Sequence, residues 1–145
     1  MDILADTNVI LRGVQPAHPQ HRTARAALRK LAGQGNRVCV ASQNLIEFWV
    51  VCTRPVASNG LGLTPDRAQR VLASIEAAFV RLQDSDAVYF EWQRLVTVLG
   101  VSGKQAHDAR LVAAMNVSSM HHILTFDTAD FTRYPGLTVL DPRTL

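Results

Sequence analysis

Cysteine, aromatic side chains and long apolar runs are all scarce in this chain, and each scarcity excludes something. Only two cysteines, Cys39 and Cys52, occur among 145 residues. Both lie in apolar runs, with no Cys-x-x-Cys pair and no Cys/His spacing suited to zinc. They read as buried thiols, which fits a reducing compartment. No stretch reaches the ~18 consecutive apolar residues of a membrane span. The opening Met-Asp-Ile-Leu lacks a basic segment ahead of a long apolar one, so a signal peptide is not expected and a cytoplasmic location is. Aromatics make up 6% of the chain, and the helical spacing of Trp49 and Trp92 suits a core better than a base-stacking platform. His107, His121 and His122 lack the His-x-x-x-His pattern that a zinc site would favour.

What is present is ordinary for a folded protein: 48% hydrophobic and 19% charged residues. The length suits a single domain over 1–145 that needs no disulfide to hold it. The net charge is only +3, but it is unevenly placed. Arg12, Arg22, Arg25, Arg29, Lys30 and Arg37 crowd the first quarter, where Asp2 and Asp6 are the only acids. Such a patch either attracts a polyanion or is one solvated helix face, and charge alone does not separate the two.

The pattern along the chain alternates short apolar runs with helical periodicities. Ile3–Ala5 reads as a central parallel strand buried on both faces. From about His18 to Ala32 apolar residues recur at spacings of three and four, and Gly33 and Gly35 end the segment. Arg37–Ala41 is a second strand. Ser42 is the expected N-cap of a helix over 43–53, whose apolar surface is interrupted by Glu47. Residues 53–64, "TRPVASNGLGLT", form a loop, and Thr64-Pro65 opens another helix. Phe79–Leu82 reads either as a short third strand or as a continuation of that helix. Ser85 or Asp86 caps a helix to about Leu99, a further helix spans about Lys104 to Asn116, and Ile123–Phe126 and Thr138–Leu140 are strands. This alternation predicts an α/β fold with a parallel sheet covered on both faces.

Four acids stand in unusual company. Asp6 follows the first strand and Asp127 follows the fourth, so both sit where open α/β sheets bind ligands, beyond the carboxyl ends of the strands. Glu47 lies inside "NLIEFWVV" and Asp108 inside "HDARLVAAM". Each acid alone has an ordinary reading: a cap, a polar helix face, a helix N-terminus or an Asx turn. Together they suggest a cluster. Carboxylates gathered within a few ångströms repel one another unless a counter-charge joins them. A divalent cation is one, and oxygen-only ligands favour Mg²⁺ or Mn²⁺. Four acids suffice for one or two ions. The chemistry available to such a centre is attack by a bound, acidified water on a phosphodiester.

In these motifs the chain resembles the PIN-domain ribonucleases, most closely the VapC toxins of toxin–antitoxin pairs. "LADTNVILR" resembles the family's first strand with its Asp-Thr-Asn turn. "NLIEFWVV" falls where its second acid stands. "HDARLVAA" is similar to its Asp-Ala-x-Leu-x-Ala-Ala helix, and "ILTFDTADF" to its strand followed by Thr-x-Asp-x-Asp-Phe. The motifs span residues 3 to 131. One departure is "MNVSSMHHI", which has no glycine where family members often carry one. The resemblance implies a three-layer α/β/α fold around a parallel sheet of about five strands in the order 3-2-1-4-5. It implies metal-dependent cleavage of single-stranded or loop RNA, a VapB-like antitoxin that inhibits the enzyme, and homodimerisation. By position it marks Asp6, Glu47, Asp108 and Asp127 as the catalytic and metal-binding acids, with Asp6 and Asp108 as the foremost direct ligands. Thr7, Asn8 and Thr125 then orient the acids or a bound water, and Asp130 is a further candidate. Arg12, Arg22, Arg25 and Arg29 are the candidate RNA contacts.

Three other functions fit parts of the pattern. One is an RNA-processing nuclease without an antitoxin, and another is an RNA-binding module that has lost catalysis. The third is a phosphotransferase with Asp6 as nucleophile, against which Asn8 stands where such enzymes usually carry a second Asp.

Overall fold

The computed structural model describes residues 1–145. The strands are β1 (Asp2–Ala5), β2 (Arg37–Val40), β3 (Val80–Arg81), β4 (His122–Leu124) and β5 (Thr138–Leu140). The helices are α1 (Thr7–Gly13), α2 (His21–Gly33), α3 (Ser42–Thr53), α4 (Pro65–Ala78), α5 (Asp86–Val98) and α6 (Gln105–Val117). All strand pairs are parallel and their order is β3-β2-β1-β4-β5. The expected α/β/α fold and strand order are therefore both present. β1 lies between β2 and β4, with Leu4 opposite Cys39 on one side and Ile123 on the other.

Side-chain alternation along the strands builds the layers. Leu4, Cys39 and Ile123 point to one face and pack against α5 and α6 through Val88, Leu95, Leu111 and Met115. Ile3, Ala5, Val40 and Leu124 point to the other face. There they meet α1 and α2 through Val9, Ala24 and Leu31, and α3 and α4 through Phe48, Cys52 and Ile75. Cys39 and Cys52 thus fall in separate cores on opposite faces, both free and buried.

Several boundaries differ from the sequence reading, each for a local reason. α1 is absent from that reading. Its Val9-Ile10-Leu11 looks like strand material, but the carboxylate of Asp6 accepts from Thr7 N–H at 2.7 Å and starts a helix there. Ser42 is the first residue of α3 rather than its cap. Ala41 holds the cap position, and its N–H is taken at 2.8 Å by the side chain of Asn44. Phe79–Leu82 resolves into the short β3 preceded by a helix end at Ala78. β4 stops at Leu124, two residues early, because the Phe126 N–H turns to the Asn8 side chain at 3.2 Å instead of continuing the ladder. Thr64 caps α4 as expected, accepting from Arg67 N–H at 3.4 Å. No helix is long and apolar enough to cross a membrane.

Candidate active site

The carboxyl ends of β1 and β4 adjoin, so the residues that follow them share one edge of the sheet. The Asp6 N–H donates to the Leu124 carbonyl at 2.9 Å, extending the ladder by one residue and fixing where the Asp6 side chain begins. Its carboxylate is buried, with 9% of the residue exposed. One oxygen accepts from Thr7 N–H. The other accepts from Thr125 Oγ1 at 2.7 Å and from Asn8 Nδ2 at 3.0 Å.

Asn8 and Thr125 then reach a second acid. Asn8 Nδ2 also lies 3.0 Å from Asp127 Oδ2 and 3.1 Å from Thr125 Oγ1. The Thr125 hydroxyl accepts from Asp127 N–H at 3.0 Å. Thr7 reaches a third acid: its hydroxyl donates to Glu47 Oε2 at 2.7 Å and accepts from Asn44 Nδ2 at 3.1 Å. Gln43 holds the other Glu47 oxygen at 2.9 Å and donates to the His107 carbonyl at 2.8 Å, tying α3 to the start of α6 beside Asp108.

Asp6, Glu47 and Asp127 are thus joined through Thr7, Asn8 and Thr125. Asp108 makes no hydrogen bond in this network, but it shares its electric field. Burial pushes the Asp6 carboxyl up to about 6 from an ordinary 3.8; hydrogen bonds from Thr125 and Thr7 oppose the rise, and the charges of Glu47 and Asp108 add to it. Asp108 is also pushed up to about 6, first by burial and then by Asp130, Glu47 and Asp127, with His107 acting against them. Asp130 is exposed on the 3₁₀ turn Thr128–Phe131, close enough to act on Asp108.

No salt bridge neutralises this group. The four ion pairs of the protein join Asp2, Glu91, Asp84 and Asp141 to arginines, and none involves the clustered acids. No three His, Cys, Asp or Glu side chains stand close enough to form a ready coordination shell. Three of the carboxylates are instead held by Thr, Asn and Gln donors. The donor chemistry is nevertheless oxygen-only around a buried, uncompensated carboxylate, which is the chemistry that suits Mg²⁺ or Mn²⁺.

The arginines singled out from the sequence are not brought to these acids. Arg25 and Arg29 line a cleft of about 510 Å³ together with Asn36 and Arg37 at the start of β2 and Phe79 and Val80 at the start of β3. That is the amino edge of the sheet, whereas the acids are at the carboxyl edge. Arg22 borders a neighbouring groove on α2, and the Arg12 guanidinium bonds Gln15 at 2.8 Å. Three side chains that matter are missing from the sequence reading. Gln43 and Asn44 are buried polar groups in the first turn of α3, and Gln43 sits four residues before Glu47, a helical neighbour readable in the sequence. The third, Tyr134, is 4% exposed; its hydroxyl has no hydrogen-bond partner, and Asp108 and Asp130 act on it.

A family model described as PIN domain matches residues 3–137. No curated protein matches the chain in sequence. Among solved structures, VapBC2 from Rickettsia felis, bound to a DNA fragment from its promoter, shares 16% identity at a TM-score of 0.72, covering 97% of this chain and 98% of that one. VapBC-1 from nontypeable Haemophilus influenzae is 13% identical at a TM-score of 0.72, covering 99% of both chains. VapC20 of Mycobacterium tuberculosis, a sarcin–ricin loop cleaving toxin, is 19% identical at a TM-score of 0.58, covering 86% of this chain and 91% of that one.

Proposed function

Because the chain belongs to the PIN domain family, we propose that it is one PIN domain over 1–145 that hydrolyses phosphodiester bonds in single-stranded or loop RNA, as the VapC-like toxin of a toxin–antitoxin pair. The observation that carries this reading is the convergence of Asp6, Glu47, Asp108 and Asp127 on one sheet edge with no neutralising salt bridge. The solved structures with this fold include a toxin–antitoxin complex from Klebsiella pneumoniae and a sarcin–ricin loop cleaving toxin, which supports both a cleavage reaction and an antitoxin partner. A homodimer acting in the cytoplasm belongs to the same proposal.

Asp6 and Asp108 would hold Mg²⁺ or Mn²⁺, one ion or two, with Glu47 and Asp127 binding directly or through water. When bound, such an ion acidifies a water and offsets charge that develops on the phosphate. The chain's own residues do the rest. Thr125 and Asn8 hold one Asp6 oxygen and Thr7 N–H the other, so the carboxylate enters the reaction already oriented. Thr7 and Gln43 fix Glu47 from both sides, and Asn8 ties Asp127 to Asp6. Asp130 adds negative charge beside Asp108.

The test is RNA cleavage by purified wild type, Asp6→Asn and Asp108→Asn, with RNA ends sequenced after brief expression. Both variants should fold, lose cleavage and lose growth arrest. Full activity in either one refutes the mechanism. A short adjacent reading frame whose product restores growth distinguishes the toxin from a stand-alone processing nuclease.

A further inference from the structure

Beside Asp108, between α5 and the first turn of α6, lies a cleft of about 450 Å³ that the mechanism above leaves unused. Tyr89, Trp92, His107 and Arg110 form its walls, with Val88 and Ala106 behind them. Its size falls within the roughly 300–1,000 Å³ of ordinary ligand clefts. The floor is rigid. The indole N–H of Trp92 donates to the Ala106 carbonyl at 2.8 Å, so one ring edge is pinned to α6. Tyr89 lies against that indole, with ring centroids 5.8 Å apart and planes tilted by 33°. Yet Tyr89 remains 56% exposed, which leaves much of its surface open.

The cleft is joined to the acids. The Gln43 amide donates both to the carbonyl of His107 in the cleft wall and to Glu47. Arg110 stands at this junction. Its guanidinium touches Gln43 at 3.4 Å and Asp84 at 3.5 Å, both at the outer limit of a hydrogen bond. A cation held so loosely is free to turn toward an anion.

We propose that this cleft is a nucleobase subsite: a base of single-stranded RNA stacks on Tyr89 above the Trp92 floor, while Arg110 pairs with the phosphate leading from that base to the acids. The proposal rests on the nuclease reading and specifies its substrate contact. Exposed aromatic surface beside a loosely held guanidinium is what a strand of bases and phosphates requires. Phe90, 63% exposed, packs edge-on against Tyr89 at 5.6 Å and widens the aromatic surface, but a protein partner would favour a broad dry apolar face, whereas the cleft itself is walled by His107 and Arg110.

The first arm of the test is binding without catalysis. In a Trp49→Phe background Trp92 is the sole tryptophan. The four nucleoside 5′-monophosphates, titrated without metal, should quench its fluorescence saturably. Tyr89→Ala should abolish that quenching, Arg110→Ala should weaken it, and Tyr89→Phe should retain it. The second arm is cleavage of single-stranded RNA. Tyr89→Ala should raise KM roughly tenfold with kcat little changed, and Tyr89→Phe should restore the wild-type KM. Absent quenching, or quenching indifferent to Tyr89→Ala, overturns the subsite. So does cleavage whose KM neither variant moves, in which case the nuclease reading survives alone. If wild type cuts no RNA but nucleotides still quench through Tyr89, the nuclease reading falls and the nucleotide site stands. If Tyr89→Ala converts a dimer to a monomer and nucleotides have no effect, the face is a protein interface and the subsite is overturned.

Discussion

Replacing Asp6 by Asn in metal-free protein should make the fold more stable at neutral pH and less stable in acid. Burial raises the Asp6 carboxyl to about 6 from an ordinary 3.8. The folded state therefore holds its proton more tightly than the unfolded chain. Below about pH 4 both states are protonated and nothing is lost; as pH rises from about 4 to 6 stability falls, and above 6 the full cost of a buried charge, about 3 kcal/mol, is present. The amide introduced by Asp6→Asn would never carry that charge. It would keep the bond from Thr7 N–H, but its own NH₂ would face both the Asn8 amide and the Thr125 hydroxyl, forfeiting two hydrogen bonds at a cost of about 2 kcal/mol. The variant should therefore gain about 1 kcal/mol near pH 8 and lose about 2 kcal/mol well below pH 4, the curves crossing between about pH 5 and 6. Urea titrations in EDTA across this range measure the difference as a shift in midpoint at constant slope. Mg²⁺ or Mn²⁺ should reverse the order near pH 8, stabilising wild type by about 2.7 kcal/mol at a hundred times Kd and leaving the variant nearly unmoved. A variant destabilised equally at both pH values, or metal that stabilises both proteins alike, would refute the argument that Asp6 is an uncompensated buried anion.

Three other outcomes follow from particular contacts. Thr125→Val removes the hydroxyl that donates to Asp6 and accepts from Asp127 N–H, so metal-free stability should drop by about 1–3 kcal/mol, and the acid limb of the pH–rate profile should move upward. An unmoved profile would show that Thr125 only fills space. Gly60→Ala places a Cβ 1.9 Å from the Arg54 carbonyl oxygen; the backbone must shift, and thermal melting should register about 1–3 kcal/mol of destabilisation. The double change Arg25→Ala, Arg29→Ala should slow RNA capture at low salt but leave KM unchanged near physiological ionic strength, where charges more than about 8 Å from the strand are screened. A KM that rises equally at both salt levels would place the strand on α2 itself.

The sequence showed the acids but only part of their geometry. Asp6 and Asp127 were legible because each ends a short apolar run, and a strand end in a parallel sheet is a defined place. Glu47 and Asp108 were legible as interruptions of apolar helices. The adjacency of β1 and β4 came from the family resemblance, since periodicity says how a strand faces and not which strand lies beside it. α1 escaped because Val9, Ile10 and Leu11 favour a strand by propensity, and one side-chain cap outweighed that preference. Gln43 and Asn44 escaped because polar residues opening a helix usually face solvent; here they are buried as the props of Glu47 and Thr7. The separation of the α2 arginines from the acids escaped because position along a helix does not reveal which edge of the sheet it approaches. α2 runs back to the start of β2, and carries Arg25 and Arg29 with it.

That placement has an electrostatic consequence. A phosphate brought to the carboxyl edge would meet five acids, none of them in an ion pair. Under the proposed function, the basic surface on α2 would raise encounter rates at low salt without touching the reacting group. Two cations lie nearer. Arg143 feels Asp127, but its guanidinium is already committed, to Asp141 at 2.8 Å and to the Phe126 carbonyl at 2.9 Å. Arg110 is held only by contacts at the limit of bonding, next to the Gln43 amide that supports Glu47. Among the arginines tied to this edge, Arg110 is therefore the one able to exchange its present partners for a phosphate without breaking a strong bond. The neighbouring negative charge that adds to the burial-driven rise of Asp6 and Asp108 would also keep a nucleic-acid strand away until positive charge arrives, so metal uptake and RNA capture should be mutually reinforcing.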